Sequence, residues 1–137
     1  MRWAPTRRHF VAALPFALLG WSPRAPGARR RQSAHPDPRP GIDARDVLTH
    51  EQLQGYGDDV IGVFDMVREM PQIADGIHCY CGCAGRPGNR SLLTCYGPVG
   101  MARDCEICQG EGRLAYHRWK EGQTLDQIRH AIDARFA

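Results

Sequence analysis

The chain is 137 residues long with a net charge of +3, room for one compact domain. Nine Arg against two Asp give residues 1–45 a net +7, which leaves −4 on residues 46–137. The basic character therefore belongs to the leader, and the mildly acidic remainder lacks the basic surface that nucleic-acid binding requires.

The leader opens with Arg and runs into the apolar stretch Phe10–Trp21, which Pro15 interrupts. A spanning helix needs about 20 apolar residues, so this stretch suits a signal peptide better than a membrane anchor. Thr6-Arg7-Arg8-His9-Phe10-Val11 closely resembles the twin-arginine export consensus, and its place directly before the apolar run fits that role. The expected signal peptide is 1–28, with Ala25, Ala28 and Ala34 as equivalent cleavage candidates and no cysteine placed for lipid attachment. A mature protein in the periplasm or elsewhere outside the cytoplasm follows, without a stable membrane span, tethered only if the leader stays uncleaved. Residues 29–45 combine three consecutive Arg with Pro36, Pro38 and Pro40 and read as a disordered linker.

Residues 46–137 form the expected domain, all-α and built from short helices around a cysteine-rich and glycine-rich loop. Val60, Ile61, Phe64 and Val67 recur at helical spacing behind Asp58 and Asp59, and Pro71 forces a break after Met70. Pro71–Gly76 reads as a single turn, and Ser91–Tyr96 as a short capped helix. A longer helix is predicted over 104–120, although Gly110 and Gly112 each cost it about 1 kcal/mol relative to Ala. The last helix carries a capping box, Thr124 with Gln127, and the apolar stripe Leu125, Ile128, Ile132 and Phe136. That stripe is ordinary core packing. No segment alternates as a strand would.

All six cysteines fall between 79 and 108. Cys79, Cys81 and Cys83 stand two apart, so in an extended or knuckle-like backbone their sulfurs converge, with Gly82 allowing the tight turn. Cys105 and Cys108 have the spacing of one helical face, and Cys95 adds a sixth sulfur. Three uses of these thiols compete. The first is a thiolate cluster for a soft or borderline metal ion, zinc or copper(I), with iron–sulfur less favoured. The second is a set of three disulfides stapling an extracytoplasmic structural or interaction domain. The third is a thiol–disulfide oxidoreductase using Cys105 and Cys108.

Bridges within the triplet would be strained, so each of its members would need a distant partner. That weighs toward metal, as does export after folding. The Cys-x-x-Cys pair lacks the strand-then-helix setting of redox enzymes, and Gln109 in place of His excludes haem c attachment. His78, His117 and Met101 are secondary ligand candidates. A metal ion is the one partner specified; a protein partner is not. No Ser/His/Asp set, phosphate loop or carboxylate pair argues for an enzyme.

His78-Cys79-Tyr80-Cys81-Gly82-Cys83, Ser91–Tyr96, Cys105–Cys108 and Glu121–Arg129 together resemble the PCYCGC-motif family of exported bacterial proteins and lipoproteins, over roughly 60–136. The resemblance implies an exported, cysteine-rich helical domain and carries no established activity. His78 replaces the motif's Pro, and Asn89 stands where a His is expected before the Ser-Leu segment. Gly110 and Gly112 replace better helix formers.

Overall fold

A computed structural model describes residues 35–137; the expected signal peptide and the start of the expected linker lie outside them. The described residues are helical and contain no strand. In order come a 3-10 turn at Glu51–Leu53, α1 (Asp58–Glu69), α2 (Pro71–Asp75), α3 (Leu92–Cys95), a 3-10 turn at Ala102–Asp104, α4 (Glu106–Lys120) and α5 (Leu125–Phe136). No helix among them is long and apolar enough to cross a membrane.

The boundaries follow from local chemistry. Pro71 opens α2 at its first position, where its missing N–H costs nothing, and it ends α1 at Glu69. Thr124 caps α5 by accepting from Gln127 N, while Gln127 Oε1 accepts from Thr124 N, the reciprocal box read from the sequence. At α3, Ser91 N–H donates to Thr94 Oγ1 at 3.1 Å. The long helix starts two residues later than 104, because the chain first makes a tighter turn that Gln109 fastens by donating to Ala102 O at 2.8 Å.

Helix α4 is the axis on which α1 and α5 pack, and α2 and α3 also touch it. The core joins Val63, Phe64 and Val67 of α1, Leu92 and Leu93 of α3, Ala115 of α4 and Ile128 and Ile132 of α5. Gly112 explains itself here: a Cβ at that position would stand 2.3 Å from the hydroxyl of Tyr96 and 3.2 Å from Val63. The glycine gives up about 1 kcal/mol of helix propensity to let Tyr96 pass under α4.

Residues 35–45 differ from the expected disordered linker. They lie along the domain, because Arg39 reaches a buried acid. Asp75, fully buried, accepts from the Arg39 backbone N–H and from its guanidinium at 2.8 Å, and also from Arg90 and from the Ser91 hydroxyl. Further up, His35 Nδ1 accepts from the His78 N–H and its Nε2 bonds Asp133 at 2.8 Å. Composition misled because it registers the prolines and not the distant carboxylates, Asp75 and Asp133, that hold the segment.

Burial alone would push Asp75 up, but the hydrogen bonds from Arg39 and Ser91 prevail and hold it below the ordinary carboxylate range. A depressed carboxylate contributes stability that is present above its unfolded pKa and is lost as pH falls through the folded one. Arg39→Ala is expected to cost about 1–2 kcal/mol at neutral pH, the Arg being half exposed. That deficit should shrink as denaturation is repeated below the ordinary carboxylate range. An equal deficit at every pH would mean that Arg39 acts through packing alone.

Candidate metal centre

The segment between α2 and α3 is a closed loop. Leu92 N–H donates to Ile77 O at 2.8 Å and ties its two ends together, and Arg90 and Ser91 meet Asp75 at the same base. Its tip turns back on itself through Arg86 N to Cys83 O and Asn89 N to Arg86 O. This loop carries Cys79, Cys81 and Cys83; α3 ends in Cys95, and α4 carries Cys108 in its first turn.

These pieces bring four sulfurs together. The thiols of Cys79, Cys81, Cys95 and Cys108 all lie within 4.8 Å of one another. Cys79 Sγ and Cys108 Sγ stand 3.4 Å apart. Cys79, Cys95 and Cys108 are at most 2% exposed, and Cys81 is half-buried. All six cysteines are free thiols.

The other two cysteines fall outside this group. Gly82 has φ +83°, and this left-handed residue interrupts the extended alternation between Cys81 and Cys83. Cys83 is buried beside the Cys81 thiol but does not come within 4.8 Å of every sulfur of the group. Cys105 precedes α4 as its N-cap with φ −120° and ψ 109°, so it lacks the helical backbone on which the pairing with Cys108 relied. His78 and His117 are likewise outside the group; His78 packs edge-on to Tyr80, and Met101 is exposed.

The cluster has a lid and a wall. Tyr96, fully buried, donates its hydroxyl to Cys108 O at 2.8 Å and packs edge-on against Phe64 at 4.7 Å. Glu111, also fully buried, accepts from the Tyr80 N–H through Oε1 at 2.8 Å, while its Oε2 is buried with no hydrogen-bond partner. Burial, and then the neighbouring Cys79, push the Glu111 carboxyl up to about 9, so it is neutral at pH 7. Sequence reading passed over Glu111. The available signal was its position three residues after Cys108, one turn along the same face of α4.

The thiols share their protons unequally. Hydrogen bonds from Cys108 and Cys79 outweigh burial at Cys95 and pull it down to about 6. Cys108 shifts the other way, raised by its hydrogen bonds to Cys79 and Cys95 and by burial. Cys79 is also raised: its bond with Cys108 lowers it, but Cys95 and burial outweigh that. Burial raises Cys81, and burial then Cys81 push Cys83 up to about 11. The apo cluster at neutral pH is thus one thiolate held by neighbouring thiols.

Two clefts open on the described surface, one lined by Ile42, Val47, Leu93 and Val99 among others, one by Arg86, Pro87 and Asn89 among others. Neither is lined by a cysteine. No family model matches the chain, and neither a curated protein nor a solved structure matches it.

In the reduced, metal-free protein a single thiolate should titrate near pH 6, followed by ultraviolet thiolate absorbance. Its depressed pKa contributes stability present above the ordinary thiol range and lost as pH falls through about 6. Cys79 and Cys108, being raised, lose theirs as pH climbs past that range, so apo stability should peak between the two limits. Cys95→Ser should remove the titration; if it survives, the thiolate belongs elsewhere.

Proposed function

We propose that the protein is an exported domain that holds one zinc ion in a closed four-thiolate site formed by Cys79, Cys81, Cys95 and Cys108. The observation that carries the reading is the mutual approach of those four sulfurs. Sulfurs placed about 2.3 Å from one tetrahedral centre stand about 3.8 Å apart along each edge. The 3.4 Å separation of Cys79 and Cys108 and the 4.8 Å span of the group bracket that edge, so small shifts convert the cluster into a tetrahedron.

Four protein ligands leave no open position for substrate, which points to a structural rather than a catalytic ion. The domain gains from one. About 90 residues bury proportionally little surface, and a structural metal returns its binding free energy as folding free energy. The chemistry the ion supplies is cross-linking: it would join the loop, α3 and α4 at one point. The residues prepare it, with Cys95 already ionised at neutral pH and the other three thiols releasing protons on binding.

The 3.4 Å approach of Cys79 and Cys108 also favours a second reading, in which an oxidising compartment joins those two as a disulfide. The redox pair of Cys105 and Cys108 has less support, since Cys108 is fully buried and engages Cys79 and Cys95. Export rests on Thr6–Val11, outside the described residues, and the likeness to PCYCGC-motif proteins supports the same destination.

Native mass spectrometry of the protein purified without oxygen should find one zinc per chain. Cys79→Ser, Cys81→Ser, Cys95→Ser and Cys108→Ser should each lower metal content and thermal stability, whereas Cys83→Ser and Cys105→Ser should leave metal content unchanged. A metal-free chain lighter by the hydrogens of a Cys79–Cys108 bridge would replace the zinc reading with the disulfide one. Separately, changing Arg7 and Arg8 to Lys should strand the protein in the cytoplasm; unchanged export would remove the twin-arginine route.

A further inference from the structure

A buried carboxyl oxygen without a partner costs a domain about 1–3 kcal/mol, and more if the group is charged. Glu111 Oε2 is such an atom, on a side chain with no exposure at all, in the middle of α4. An apolar residue of similar volume would pack there without that cost. Something at this position therefore offsets it.

Two contacts show what. Glu111 Oε1 accepts from the Tyr80 N–H at 2.8 Å, across 31 residues of sequence. Tyr80 sits between Cys79 and Cys81, so this bond ties the turn on which two of the four sulfurs ride to α4, while the Tyr80 hydroxyl donates to Asp133 of α5 at 2.6 Å. The carboxyl also neighbours the Cys79 thiol. Cys108, one turn before Glu111 on α4, contributes the sulfur 3.4 Å from Cys79. The helix thus presents a ligand and the brace of the opposing ligands from the same face.

We propose that Glu111 is the positioning residue of the four-thiol site, fastening the Tyr80 amide to α4 and setting its carboxyl against the Cys79 sulfur. The assignment rests on the metal reading above. Glu111 is not a metal ligand: it lies outside the group of donors that approach one another within 4.8 Å. Its role is that of the outer partners around metal sites, which orient ligands and whose loss typically weakens binding 10–100-fold.

Amide and carboxyl differ in a useful way here. Gln keeps a carbonyl oxygen for the Tyr80 N–H and places an NH2 donor beside the sulfur, whereas Leu keeps only the volume. The full chain is reduced, stripped of metal and titrated with cobalt(II) alone, reading the thiolate-to-cobalt absorption and the affinity against a chelator. Glu111→Leu should bind cobalt about 10–100-fold more weakly than wild type. Glu111→Gln should stay close to wild type in affinity while its thiolate-to-cobalt band shifts, because the group at the Cys79 sulfur has changed.

Equal losses in Glu111→Gln and Glu111→Leu would overturn the proposal, as would wild-type affinity in both. If Glu111→Leu fails to fold by circular dichroism, the Gln variant decides alone: wild-type affinity with an unmoved band makes Glu111 a bystander. A wild-type chain that takes up no cobalt sinks the metal reading itself, a result distinct from any behaviour of the two variants.

Discussion

The fastening of the Cys79–Cys81 turn to α4 is the contact on which the rest of the molecule depends. One bond, Tyr80 N–H to Glu111, and one sulfur pair, Cys79 with Cys108, hold an irregular glycine-rich loop against the helix that organises the core. Its other anchors are its base, where Asp75 gathers Arg39, Arg90 and Ser91, and the bonds of the Tyr80 hydroxyl to Asp133 and of the His78 N–H to His35. Irregular backbone cannot satisfy its own polar groups as helices do. This loop is therefore fixed at both ends by specific side chains, and the helices supply the rigid frame.

The same contact explains compromises made elsewhere. Tyr96 must pass beneath α4 to reach Cys108 O, and only a glycine at 112 leaves space for its hydroxyl. Helix propensity is lost at 112, and polar satisfaction is lost at Glu111 Oε2, on neighbouring residues of one turn. Both departures from good helix chemistry lie next to the sulfurs. Local violations that cluster in this way mark function more reliably than any one of them would.

Much of the fold was legible in the chain. Thr124 with Gln127, the break at Pro71 and the stripes of α1 and α5 are local signals, and each marks the element it predicts. The site was legible in composition but not in geometry. Six thiols in 30 residues announce a cluster, yet which four converge is decided by φ at Gly82 and by α4 beginning one residue after Cys105. Neither is visible as a spacing. Glu111 was missed because a charged residue within a helix reads as solvated surface, and only tertiary packing turns it inward. The order of residues 35–45 was hidden for the same reason, since it hangs on distant partners, Asp75, 36 residues from Arg39, and Asp133, 98 residues from His35.

The two anchors of the loop respond to acid in sequence. Cys95 is ionised down to about pH 6, so its thiolate is the first charge to go as pH falls. Asp75 keeps its charge to below the ordinary carboxylate range, because Arg39 and Ser91 hold it there. Between those limits the base of the loop stays clamped while the sulfurs are protonated. Glu111, neutral already at pH 7, adds no charge to that step. In the metal-free chain the cluster therefore loses its charge while the loop is still anchored to its helices, and the four sulfurs remain near one another. Had the carboxylate titrated first, acid would free the loop before it discharged the sulfurs, and restoring the cluster would carry the cost of ordering the chain again.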